Sequence, residues 1–233
     1  TLLYKQETHM KKMTQIALTA LLFVGITANA QTQLKKGSVT YNMTMPSASE
    51  EMAAMGESTI TVHFDETMQA TDMSMMGGMM MMKTIVPNEN KKDSKMTMEV
   101  MGMKYEITDV GEEASKTSKG LSNLDDAKEI VYDKKDTKEI VGFKCYKAII
   151  TMNDGSKNTF YVTDAIAPQA PSNPKVALKL TGYPLEMTVK TAQGDMVMTA
   201  TKFSKEIPAD AFKVGEGFTK VTMEEFQKQM GGM

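Results

Sequence analysis

The sequence predicts a mainly β fold: a single, mostly antiparallel sheet with a few short helices. Three observations point there. Apolar and polar residues alternate with a period of two over segment after segment. Turn residues separate those segments at short intervals. No stretch carries the long 3.6-residue spacing of an extended amphipathic helix.

The strand segments follow in chain order. In "VTYNMTM", Val39, Tyr41, Met43 and Met45 alternate with Thr40, Asn42 and Thr44. In "TITVHF", Ile60, Val62 and Phe64 alternate with Thr61 and His63. In "MTMEV", Met96, Met98 and Val100 alternate with Thr97 and Glu99. Each pattern sends one set of side chains to a core and the other toward water. "MKYEI" continues with Met103, Tyr105 and Ile107, one residue out of phase, so Gly102 is expected to form a bulge or tight turn. "EIVGFKCYKAIITM", Asn153-Asp154-Gly155 and "KNTFYVTD" read as a hairpin. "LEMTVKT", Ala192-Gln193-Gly194-Asp195 and "MVMTATKF" read as a second. Between them, three prolines in residues 167–175 mark a loop.

Helix signals are few. Residues 223–230, "MEEFQKQM", follow Thr222 with Glu225 three positions on, the pattern of a capping box. Residues 46–56 and 121–131 are each compatible with a short helix, and 208–212 with one helical turn. Residues 88–95 form a charged loop.

The N-terminal region reads as a targeting signal. Lys11 and Lys12 precede an apolar run, Ile16 to Ile26, which ends in Ala28-Asn29-Ala30. That order predicts a signal peptide over 10–30 with cleavage before Gln31, and an exported protein, periplasmic or extracellular. The run is shorter than the roughly 20 residues of a membrane span, so no span is expected after cleavage. Residues 1–9 read as an upstream extension, and 31–233 as a single β-rich domain. That remainder holds 24 lysines, 28 acids and no arginine, a net charge of −4. An acidic chain without arginine is unsuited to nucleic acid. The single cysteine, Cys145, permits no internal disulfide and reads as a small buried hydrophobe.

No catalytic constellation is legible. A Ser-His-Asp set in the mature region would have to use His63, which the strand pattern places on a solvent-facing side beside Asp65 and Glu66. A His-x-x-Glu pair alone does not make a zinc site. The phosphate-binding and nucleophile-elbow motifs are absent. The sequence therefore predicts a protein that is not an enzyme and has no cofactor.

What stands out is methionine, 25 of the 233 residues. One group lies in strand alternations: Met43 and Met45, Met96 and Met98, Met101 and Met103, Met196 and Met198, with Met187 nearby. A step of two puts both members of a pair on one face. Facing inward, they make an adaptable apolar lining suited to a hydrophobic small molecule or lipid; equally, they replace leucine in a plain core. The ligand-binding candidates are Met43, Met45, Met96, Met98, Met187, Met196 and Met198. The other group is "MSMMGGMMMMK", in which Gly77-Gly78 is expected to form a turn between two methionine-rich strands. Its Met73, Met75, Met76, Met79, Met80, Met81 and Met82 offer soft thioethers to Cu(I) or Ag(I), the alternative reading. Exposed methionines that contact a partner or consume oxidants are a third.

The C-terminal half carries a resemblance. Gly142-Phe143-Lys144-Cys145, Tyr161-Val162-Thr163 and Gly182-Tyr183-Pro184-Leu185, in that order over roughly residues 138–218, resemble the DUF4412 family of exported bacterial proteins, many from Gram-negative Bacteroidetes, and more distantly the GLPGLI family. The resemblance implies a fold similar to the LolA and LolB lipoprotein carriers, in which an antiparallel sheet curls into an open half-barrel. It implies no activity.

Overall fold

A computed structural model of the chain describes residues 33–46, 56–110, 124, 126–168, 180–191 and 194–230. The expected extension and signal peptide, most of the 46–56 helix and most of the proline loop lie outside the described residues.

The described residues form one sheet of twelve strands: β1 (Gly37–Thr44), β2 (Ser58–Phe64), β3 (Met68–Met75), β4 (Met80–Pro87), β5 (Lys95–Val100), β6 (Met103–Ile107), β7 (Ala127–Ile140), β8 (Phe143–Met152), β9 (Lys157–Thr163), β10 (Tyr183–Thr191), β11 (Gly194–Ser204) and β12 (Thr219–Val221). One helix, α1 (Met223–Met230), follows. The strand order is β12-β6-β5-β4-β3-β2-β1-β11-β10-β9-β8-β7. Two meanders, β1 to β6 and β7 to β11, are thus joined where β1 pairs with β11. All pairings are antiparallel except the last, in which β12 adds parallel to β6. The outer strands β12 and β7 do not pair, so the sheet is open.

Local chemistry explains the hairpins. Met101 and Gly102 both take positive φ, 50° and 82°, as a two-residue type I′ turn requires. The phase slip at Gly102 is therefore a turn, and Met101 sits on it, 76% exposed, instead of sharing a face with Met103. The same device recurs at Val141 and Gly142, with φ of 45° and 84°. It divides "EIVGFKCYKAIITM" between β7 and β8, which the strand pattern alone does not reveal. Positive φ is costly for a β-branched residue, so Val141 is held there by the long β7–β8 ladder.

Two expectations are corrected. Of the segment expected as a helix over 121–131, residues 127–131 lie instead in β7, whose Ile130 and Tyr132 pair with Ile150 and Ala148. Pairing with an apolar partner strand outweighs the helical preference of Ala127, Lys128 and Glu129. Strand β1 ends at Thr44, so Met45 lies beyond it.

Residues directly opposite each other across a ladder share a face, and the register thereby defines an inner face across the sheet. Its buried core joins Val39, Tyr41, Ile60, Val62, Phe64, Ile150, Phe160, Val162, Leu185, Met187 and Met198. A second core holds Met96, Val100, Tyr105, Ile107, Val221 and Phe226. Phe64 on β2 and Tyr183 on β10 are three strand steps apart, ~14 Å on a flat sheet, yet their ring centroids lie 5.3 Å apart. Phe143 on β8 and Phe203 on β11 meet likewise at 4.9 Å. The sheet is therefore curled toward this face, as an open half-barrel is.

The capping box forms. Thr222 N–H donates to Glu225 Oε2 at 2.8 Å, and Glu225 N–H donates to Thr222 Oγ1 at 3.2 Å. This start fixes α1 so that Phe226 packs edge-on against Tyr105, centroids 5.4 Å apart.

Candidate functional site

The methionines collect on the inner face. In register, Met187 lies opposite Met198, Met198 opposite Met43, Met73 opposite Met82, Met82 opposite Met98, and Met75 opposite Met80. Met98 is followed by Tyr105, and Met196 lies opposite Val189. Among the methionines of β1 to β6, only Met68 and Met81 take the other face. Met43, Met73, Met75, Met80, Met82, Met98, Met103 and Met196 are each half-buried. All of them lie toward one end of their strands: the end of β1, β3 and β5, and the start of β4, β6 and β11. They make a thioether-rich band across that end of the curled face, interrupted at β2, which carries no methionine.

The sequence-predicted residues divide. Met43, Met98 and Met196 lie in the band. Met96, Met187 and Met198 share its face but are packed beneath it, at most 2% exposed, so their side chains serve the core. Met45 lies past β1 and is half-buried. In the methionine run, Met76 to Gly78 form a 3-10 turn, as expected of Gly77-Gly78. Met73, Met75, Met80 and Met82 join the band. Met79 and Met81 are 51% and 40% exposed, Met79 in the turn and Met81 on the opposite face, and Met76 is in the turn. Sequence reasoning separated Met73, Met75, Met80 and Met82 from Met98 and Met103; cross-strand register unites them.

Polar groups on the outer face form a network that the sequence did not suggest. His63 is 7% exposed, not solvent-facing. Its Nδ1 lies 2.7 Å from Ser38 Oγ and its Nε2 lies 3.1 Å from Asp72 Oδ2. Lys83 Nζ lies 3.6 Å from Asp72 Oδ1. Ser38 Oγ also reaches the Glu206 carbonyl at 3.3 Å. With Nε2–H turned to Asp72, Nδ1 is an acceptor, and the single Ser38 hydroxyl hydrogen is shared between it and the Glu206 carbonyl. These are the residue types of a nucleophilic triad, but Ser38 is 8% exposed. Its strand is laddered on both sides, to β2 and β11, so its amides serve the sheet and not an oxyanion. The trio ties β1, β2 and β3 together.

Cys145 is fully buried, and burial pushes its thiol up to about 11. Burial also pushes the Tyr41 and Tyr183 hydroxyls well up. These groups stay protonated near neutral pH and act as packing and hydrogen-bonding groups; Tyr41 donates to the Pro184 carbonyl at 2.8 Å. Among the described residues no cluster of three or more His, Cys, Asp or Glu side chains is placed to hold a metal. A separate cleft of about 280 Å³ lies at the other end of the strands, between Phe64, Gln69, Lys35, Asn88 and Pro168.

No protein-family model and no curated protein sequence matches the chain. Similar solved structures include PNGF-II, at 12% identity and a TM-score of 0.47 over 84% of this chain and 33% of that one. The lipoprotein LppX of Mycobacterium tuberculosis aligns at 12% identity and 0.39, over 74% of this chain and 89% of LppX. The Pseudomonas aeruginosa MucA/MucB complex aligns at 9% and 0.32, over 80% and 58%. At these scores the fold assignment rests on this chain's own strand order and register: a mainly β chain folded as one open, curled sheet.

Proposed function

We propose that this chain is an exported, non-catalytic binding protein that holds a hydrophobic ligand, a lipid or acyl chain, against the methionine band. The observation that carries the reading is the gathering of half-buried methionines from β1, β3 to β6 and β11 at one end of the inner face. Methionine has three soft torsions and a polarisable sulfur, so such a surface adapts to chains of varied length and bend. No helix among the described residues is long and apolar enough to cross a membrane.

Membership of the DUF4412 group is part of this proposal. The three motif segments that suggest it converge in space. Thr163 pairs with Tyr183, and Cys145, Val162, Tyr183 and Leu185 share one buried core. Gly182, at φ 86°, sits where a Cβ would come 3.0 Å from the Thr163 carbonyl oxygen. The motif therefore supports the curl of the sheet, while the ligand chemistry lies in the band.

Solvent extraction of protein purified from its native host, followed by mass spectrometry, tests the reading. A lipid or acyl species near one equivalent is expected, displaceable by a fluorescent fatty acid. Protein that carries none and leaves the fluorescent probe in water would overturn it.

A further inference from the structure

The geometry points to a soft-metal site for Cu(I) or Ag(I) on the inner face of β3 to β6, built from Met82 with Met73 and Met98 and completed by the next row, Met75, Met80 and Met103. This goes beyond the lipid reading, because it needs sulfur and not merely apolar area.

Met82 has a methionine directly opposite on both neighbouring strands, Met73 on β3 and Met98 on β5. Directly opposite Cβ atoms lie about 4.5–5.5 Å apart, and a flexible side chain on each lets three sulfurs converge on one ion. In the next row, Met75 lies opposite Met80, and Met80 and Met103 both lie opposite Val100. Met80, Met82, Met98 and Met103 pack against the same core. Those four side chains stay half-buried against that core, as Met73 does against the first one. Met103 Sδ accepts a hydrogen bond from Tyr105 OH at 3.4 Å, so one of its lone pairs already serves as an acceptor and the second is left for an ion.

The charge pattern adds selectivity. The register puts Asp72, Glu99 and Glu106 on the opposite face, as neighbours of Thr61, Met81, Lys83 and Thr97. The donors facing the site are neutral thioethers, which suit soft monovalent ions and give little to Zn²⁺, Mg²⁺ or Ca²⁺. This site differs from a loop site in the consecutive run, since it enlists Met98 and Met103 and leaves out Met76, Met79 and Met81.

Titration of the full chain, freed of lipid, with Ag(I) in chloride-free buffer tests it, read by native mass spectrometry and methionine methyl NMR. One tightly bound Ag(I) is expected at micromolar concentration, with the methyl signals of Met73, Met82 and Met98 shifted and no response to Zn²⁺. The double variant Met82→Leu/Met98→Leu should lose at least tenfold in affinity while its thermal unfolding is unchanged. Met79→Leu/Met81→Leu and Cys145→Ala should bind as the parent does. Absence of micromolar binding, full affinity in Met82→Leu/Met98→Leu, or loss of binding in either control would overturn the site. Leucine keeps the apolar area, so fatty-acid binding by Met82→Leu/Met98→Leu reports on the lipid reading separately.

Discussion

The two arms of this sheet present the same inner face with different side chains. Along β8 to β11 and the adjoining β1 and β2, the face is filled mainly by Phe, Tyr, Ile, Leu and Val, many fully buried. Along β3 to β6 it is covered largely by methionine, most of it half-buried. In the first region the curl brings strands three steps apart into ring contact, so rigid side chains interlock. In the second, the face is shared between protein and surroundings, and a side chain that fits many shapes suits it. Rigidity goes where the sheet closes on itself, and adaptability where it stays open.

The largest expected effect breaks the closed region. Phe160 is 1% exposed, and Phe160→Ala should cost about 3–5 kcal/mol by urea unfolding. Met98→Ala, in the open region, should fall below the ~2 kcal/mol lower end for a fully buried methionine. Equal costs would erase the distinction between the two arms.

The next effect falls on the outer face. His63→Leu removes the partner of buried Ser38 and of Asp72, and should cost about 1–3 kcal/mol. A neutral result in equilibrium unfolding would mean that the Glu206 carbonyl and Lys83 suffice as partners for Ser38 and Asp72. Smaller still is Thr222→Ala. It removes the side-chain half of the cap on α1 and should cost about 1 kcal/mol. Faster amide exchange in Glu225 and Phe226 should accompany it, with β8 and β9 unchanged.

The contrast between the arms also explains what could be read from the sequence. Alternation located β1, β2, β5, β6 and the β8–β9 and β10–β11 hairpins, because each strand has one buried and one wetter face. The Thr222–Glu225 box located α1, because capping is local chemistry. The β7 strand was missed, because its lysines and acids face water along an edge and mask the pairing of Ile130 and Tyr132. His63 was misread as solvent-facing, because alternation tells which side a residue takes but not what covers it. The methionine band was half legible. A spacing of two showed that Met96 and Met98 share a face, but only register across β3, β4 and β5 puts Met73, Met82 and Met98 in one row. Register depends on turn length and on bulges such as the one between Thr40 and Tyr41, which are not additive along the sequence.

The smallest expected effect is electrostatic and belongs to the closed arm. Asp136, next to the bulge in β7, accepts hydrogen bonds from Lys147 Nζ at 2.9 Å and Tyr161 OH at 3.0 Å. The Lys147 ammonium and the Tyr161 hydroxyl hold its carboxyl below the ordinary range. A carboxylate lowered in the folded state adds stability above its unfolded value, roughly 3.9 for Asp. That stability is lost as pH falls through the lower folded value. Asp136→Asn should therefore be slightly less stable than the parent at pH 7, and the gap should close in acid. The group is exposed, so added salt should shrink the gap at neutral pH. Matched urea titrations at pH 7 and pH 3 would show this. A gap that stays constant with pH would mean that Asp136 acts through the shape of the β7 bulge and not through its charge.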